Sequence, residues 1–332
     1  MEELITAKKQ FSKLGWFYVA ATFTILAVQL VMSFLISLFC PQVLSDMNLN
    51  ILLGMIPMYL AGFPLLALLL KKNVPAQKPE RHKMTAGQYV LSVIICFGLA
   101  YASNIVGNIV TTVIGIMRGK PVENEILSIM DSLNPVVVFI YMVICAPIVE
   151  EYVFRKLIVD RTARYGQVVA VVVSGLMFGL FHGNLNQFAY ATVIGMFLAF
   201  LYVKTGNLKI TISLHMLFNF VGGFLSSLLI KAIDLEGYMD AAASGDMQIV
   251  MRQIMGNLGG WILYGLLGMF VIGMMIAGIV LFIVFAAKKR FTFAGGETII
   301  PRELKFSIAF GNLGMMAFIV IWIVRIVVQL LA

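Results

Sequence analysis

Nine apolar stretches, each near the length that crosses a bilayer, dominate this 332-residue sequence and leave room for little but a bundle of membrane helices. They fall near residues 15–40, 49–70, 88–117, 135–158, 166–182, 188–203, 210–230, 258–287 and 306–331. A helix rises about 1.5 Å per residue, so about 20 apolar residues span the hydrocarbon core, where every backbone polar group must be satisfied within the segment. The chain is 61% hydrophobic and only 12% charged, a balance that no water-soluble domain of this size shows. The expectation is an all-α, polytopic helical membrane protein with about 8–9 transmembrane helices and a buried polar site in the central bundle.

A net charge of +8 would elsewhere suggest nucleic acid. Here the cations occupy short loops between apolar runs, where they set topology, so no nucleic-acid partner is expected and membrane lipids are. Lys8, Lys9 and Lys13 precede the first run, and Lys71, Lys72, Lys78, Arg81 and Lys83 follow the second. Arg155, Lys156, Arg161 and Arg164 follow the fourth; Lys204 and Lys209 the sixth; Lys288, Lys289, Arg290, Arg302 and Lys305 the eighth. The other side holds Arg118, Lys120, Lys231 and Arg252, mixed with acids that include Glu123, Glu125, Asp131, Asp234 and Asp246. The positive-inside rule then makes the N-terminus cytoplasmic and the C-terminus external, in the plasma membrane if the source is bacterial. The first apolar run lacks a cleavable signal pattern and is read as a retained helix. Three regions are expected: an N-terminal two-helix appendage over 1–87, a core over 88–230, and over 231–332 an external acidic loop plus two further helices. Cys40, Cys96 and Cys145 form neither a disulfide framework nor a metal spacing.

The polar residues inside the apolar runs are few. Glu150 and Glu151 close the fourth run, Arg155 follows one turn later, and His182, His215 and Asn219 come downstream. Ionisable groups at membrane depth cost several kcal/mol and mark functional sites by default. Glu151 and Arg155 are four apart with the acid first, the favourable order for an intrahelical ion pair. That leaves Glu150 free. Phe178–His182 and His215–Asn219 have the same spacing, so each pair shares a helix face. Glu150 and His182 are each 16 residues from the Gly166 turn, hence level at roughly 24 Å along an antiparallel hairpin. The charged stretch 155–164 is expected to project about 10–14 Å into the cytosol, leaving both groups about 10–14 Å below the surface. His215, eight residues past Asn207, arrives at about 12 Å.

The segments Glu150-Glu151-Tyr-Val-Phe-Arg155, Phe178-Gly-Leu-Phe-His182 and His215-Met-Leu-Phe-Asn219 resemble the EExxxR, FxxxH and HxxxN motifs of the CPBP (Abi, type II CAAX protease) family. They stand in the family's order with no mismatch at a motif position. The resemblance covers about 88–230. It implies an intramembrane endopeptidase in which Glu150 is the general base and His182 its partner on the water. His215 and Asn219 would supply the oxyanion hole, while Glu151 and Arg155 orient the helix and Phe178 packs beside the site. It also implies a peptide or lipidated, CAAX-like C-terminal substrate, or a role in bacteriocin processing and immunity, with the cavity open to the cytoplasmic side. Glu150, His182 and His215 are a possible zinc set. HExxH is absent, however, and His215-xxx-Asn219 suits hydrogen bonding better, so the expected chemistry is a metal-independent glutamate type with no cofactor.

Two other functions fit an apolar chain with these residues: a non-catalytic membrane immunity or scaffold protein, and a proton-coupled transporter. The second is disfavoured by the lack of an internal repeat. Asn104 and Asn108 read as interhelical glue, and Gly175, Gly179 and Gly183 as a close-packing stripe.

Overall fold

The computed structural model describes residues 1–122 and 133–331; Glu123, Glu125 and Asp131 lie outside the described residues. Among the described residues eight helices are long and apolar enough to cross a membrane, and a further apolar helix has only 15 residues. In chain order these are α1 (Glu2–Phe39), α2 (Met47–Asn73), α3 (Ala86–Arg118), α4 (Pro135–Tyr165), α5 (Gln167–Phe181, the short one), α6 (Leu185–Thr205), α7 (Leu208–Ala232), α8 (Leu258–Ala287) and α9 (Leu313–Leu331). The protein is a polytopic, all-α membrane protein. Two short helices, Leu235–Ala243 and Met247–Gly256, occupy the polar connection before α8.

The helix ends are written in the local sequence. Thr85 and Gln88 form a reciprocal capping box at the start of α3, which stops at the left-handed Gly119. Asn134 caps α4 with Pro135 at its first position, where the missing N–H costs nothing. The short α5 ends because Gly183 turns at φ 66° and the Asn184 side chain accepts the Gln187 N–H to begin α6. Gly183 therefore makes a turn, while Gly175 and Gly179 do form a close-packing face, against Met196 and Thr192 of α6. Between α6 and α7, Gly206 sits at φ 57° with the Glu80 carbonyl pressed over it, a place where a side chain would meet both backbone strain and a collision.

One continuous core runs from Phe11, Leu14 and Tyr18 of α1 through Val153 and Phe154 of α4 and Phe178 of α5 to Met315 and Phe318 of α9. The Tyr18 hydroxyl donates to the Val153 carbonyl at 2.7 Å. The N-terminal helix and the last helix thus share their core with the central block. By contrast, α8 lies outside, packed on α3 with most of its surface turned outward. The two backbones meet where Gly98 faces Gly278; a Cβ on Gly278 would stand 2.7 Å from the Gly98 Cα. Gly278→Leu is expected to lever α8 off α3 at a cost of about 1–3 kcal/mol. Loss of a disulfide cross-link engineered between the two helices reports it; a cross-link that forms as efficiently as before would show that the glycine contact does not hold them.

The end of the bundle that carries the basic loops is covered. The segment 74–85 passes over it, with Gln77 N donating to Asp160 O and His82 N to Thr205 O at 3.0 Å. The segment 288–304 lies beside it, where Gln167 N donates to Ala294 O and Thr298 N to Arg164 O, both at 3.2 Å. Gln77 Nε2 bonds Glu297 Oε1 at 2.6 Å and joins the two. The charged stretch 155–164 is thus covered by other parts of the protein at this end. Arg155, Asp160, Arg161 and Thr162 are all buried. Asp160 accepts from the Tyr202 hydroxyl at 2.8 Å, and Arg161 donates to the Leu70 and Leu157 carbonyls. Loops and neighbouring helices supply the partners that water was expected to supply.

Candidate active site

Glu150, Phe178, His182, His215 and Asn219 line a single cavity of about 190 Å³. Three segments, α4, the end of α5 and α7, therefore converge as the counting of residues from the turns implied. The details differ from the sequence reading in two respects. Glu150 lies 3.6 Å from Nε2 of His215, on α7, so its nearest ionic neighbour is that ring. Glu151 holds two partners with one oxygen: Oε1 is 3.0 Å from Nη2 of Arg155 and 3.0 Å from Nδ1 of His215. His215 is thus flanked by a carboxylate at each ring nitrogen.

Burial separates the two glutamates. The side chains of Glu151 and Arg155 are 0% exposed, whereas that of Glu150 is 26% exposed and reaches the cavity. The Arg155 guanidinium carbon also sits 4.4 Å above the Phe178 ring, a cation–π contact whose strength rises as water is removed. The same ring meets His182 edge-on at 4.7 Å and His215 at 5.7 Å between centroids. Phe178 is a platform on which the guanidinium and both imidazoles are set.

The His182 tautomer follows from its partner. Nδ1 lies 2.8 Å from the Phe178 carbonyl, and a carbonyl can only accept, so Nδ1 carries the proton and Nε2 of a neutral ring is an acceptor.

Asn219 is held by a peculiarity of α4. Residues Phe139–Cys145 form a π-helical segment in which Ala146 N–H bonds Tyr141 O, five residues back. The next carbonyl, Met142 O, would look to residue 147, which is a proline with no N–H. A buried carbonyl needs a donor, and Asn219 Nδ2 provides it at 2.9 Å. Two further π segments, Glu151–Lys156 and Asn219–Leu225, begin at the site itself; single π turns inside α-helices are frequent at functional positions.

A second cavity, of about 250 Å³, adjoins the first and shares Met142, Gln187, Tyr190, Phe218 and Asn219 with it. Its further lining includes Asn104 and Asn108 of α3, Asn186 of α6 and Ser226 and Ser227 of α7. Asn108 Nδ2 bonds Asn104 Oδ1 at 3.0 Å within one helix, so these amides face a trough and do not bridge helices. Every one of these residues lies in the half of its helix remote from the basic loops. The cavity therefore continues toward the end opposite the covered one, which corrects the expectation of a site open to the basic, cytoplasmic side. Chain order hid the trough because amides four apart also serve as helix–helix contacts.

As to a metal, no group of three or more His, Cys, Asp or Glu among the described residues is disposed to hold one.

Comparison with known proteins places residues 132–221 in a match to the family described as type II CAAX prenyl endopeptidase Rce1-like. The chain is 29% identical over 155 residues (46% of it and 63% of the relative) to YdiL of Bacillus subtilis (strain 168), which carries the name of a candidate membrane peptidase. It is 31% identical over 122 residues (35% and 49%) to the membrane-embedded CAAX protease MroQ of Staphylococcus aureus (strain USA300). Over 140 residues (40% and 51%) it is 27% identical to the UPF0177 protein YvdC of Lactococcus lactis subsp. lactis (strain IL1403). The matches thus span about half to two thirds of the length of these relatives. No solved structure matches the chain.

Proposed function

We propose that the chain, whose residues 132–221 match the type II CAAX prenyl endopeptidase Rce1-like family, is an intramembrane protease of that kind and hydrolyses a peptide bond with a water activated by Glu150. The observation that carries the proposal is the presence of Glu150, His182, His215 and Asn219 around one small cavity. The substrate is a peptide or a CAAX-like C-terminal segment. It reaches the site along the amide-lined trough, whose side-chain donors and acceptors can satisfy an extended backbone that brings none of its own partners.

In this reading the Glu150 carboxylate takes a proton from water while the unprotonated Nε2 of His182 orients that water. The oxygen attacks the carbonyl carbon, and the charge that moves to the carbonyl oxygen meets donors from His215 and Asn219. Collapse of the tetrahedral intermediate breaks the C–N bond, and the proton held by Glu150 passes to the leaving amine. Glu151 accepts from Nδ1 of His215, so in this reading the ring meets the carbonyl oxygen through a second N–H, at the Nε2 that faces the cavity. The N-terminus lies on the side of the basic loops, which by the positive-inside rule is the cytoplasm.

The test is cleavage of a quenched-fluorescence peptide library by the purified full chain, with and without a strong chelator. Activity that survives the chelator is expected; loss that zinc restores would replace the glutamate mechanism with a metal one. Asn219→Ala should lower kcat by about a hundred- to a thousandfold with little change in KM. An unchanged kcat would remove Asn219 from the oxyanion site. A wild type that cleaves nothing while its loss still alters the cell's response to a bacteriocin would favour the immunity or scaffold reading.

A further inference from the structure

A third cavity, of about 480 Å³, opens at the basic end between α3, α6 and α8 and shares no lining residue with the catalytic cavity. Its rim carries Lys83, Lys204 and Arg290, and no carboxylate lines it. His82 is also on the rim but faces Glu80 at 3.6 Å. The interior is apolar, with Leu91, Phe197, Phe200 and Phe291 among its walls.

The cations are held in place by their surroundings. Lys204 Nζ bonds Gln167 Oε1 at 3.1 Å. After α8 the chain reverses at Lys289, a non-glycine residue at φ 51°, and Arg290 N donates to Phe285 O at 2.8 Å. That reversal drives Phe291 onto Phe200 and Phe282, with centroids 5.4 and 5.1 Å apart, and leaves Arg290 on the rim. Backbone held in a sparsely populated region persists where the surroundings enforce it, and such positions gather at ligand sites. The Lys289 turn brings both a cation, Arg290, and an aromatic ring, Phe291, to the lining of one pocket.

We propose that this cavity binds an anionic phospholipid of the leaflet at the basic end, with its phosphate against Lys83, Lys204 and Arg290 and an acyl chain in the phenylalanine-lined slot. Basic pockets between membrane helices next to an apolar cleft offer what such a lipid needs and what a zwitterionic one does not: uncompensated positive charge at headgroup depth. The site joins α8 to α3 and α6, so an occupied pocket also fastens the outlying helix. The proposal is independent of the peptidase reading.

The experiment is native mass spectrometry of the full chain taken from vesicles containing equal amounts of phosphatidylglycerol and phosphatidylcholine. Retention of one phosphatidylglycerol in preference to phosphatidylcholine is expected. Lys204→Gln combined with Arg290→Gln should lower that retention roughly thirtyfold, while Lys71→Gln with Lys72→Gln leaves it unchanged. Leu91→Trp, which keeps every cation but fills the slot, should also abolish it. Excess inorganic phosphate should fail to displace the lipid; displacement would make the cavity a phosphate site and overturn the assignment. Equal retention of both lipids, or phosphatidylglycerol retention insensitive to the double substitution, would overturn it as well.

Discussion

Glu150→Gln is expected to abolish cleavage, by about a hundredfold to ten-thousandfold in kcat, with the protein still folded. The substitution keeps the shape of the side chain and removes the basic oxygen, so binding is retained and only the proton-transfer step fails. Stability is expected to change little because Glu150 is 26% exposed into the cavity and its nearest ion partner is as far as 3.6 Å away. Steady-state kinetics beside a thermal-unfolding trace of the same preparation separate the two effects. A variant that still cleaves within a few-fold of wild type would transfer the base role elsewhere. A variant that loses activity and melts together would make Glu150 a structural residue.

The neighbouring position behaves in the opposite way. Arg155→Met leaves the Glu151 carboxylate fully buried with only His215 and the Thr211 hydroxyl beside it, and is expected to destabilise the protein by about 3–5 kcal/mol, a fall on the order of 10 °C in Tm. Glu151→Gln alone leaves the guanidinium, also fully buried, with little more than the Phe178 ring as its partner, and is expected to cost a similar amount. The double substitution should recover much of the stability, because removing both charges removes the desolvation penalty along with the attraction. It should not recover activity, since Glu151 also fixes His215 through Nδ1. Additive losses in the double variant would show that the pair is not the unit that the burial indicates.

The membrane character, the helix count and the convergence of the polar residues on one site were legible in the chain. Carboxylates and imidazoles are costly in apolar helices, so each stands out, and a rise of 1.5 Å per residue converts position into depth. The Glu151–Arg155 pair followed from spacing alone and is present at 3.0 Å. What spacing could not reveal is azimuth across helices. That Glu150 faces His215, and that one Glu151 oxygen holds both Arg155 and His215, depends on how α4 and α7 are rotated about their own axes. The cover over the basic end was equally hidden, since bonds such as Gln77 to Glu297 join residues far apart in a chain with no local signal for either. The trough was half visible: its asparagines were noticed, and their orientation was not.

The π segments bring a last consequence. Each holds extra backbone that a regular helix would not need, and α4 and α7 carry theirs beside the residues they present: Phe139–Cys145 and Glu151–Lys156 on one, Asn219–Leu225 on the other. One residue corresponds to about 100° of rotation in an α-helix. Removing a single residue from Phe139–Cys145 lets that stretch relax into regular helix, and everything before it swings by about that angle relative to Glu150. The Met142 carbonyl then points away from Asn219 although every motif residue is intact. The site is therefore encoded in chain length as well as in side-chain identity, and scans made only of substitutions leave half of that code unread.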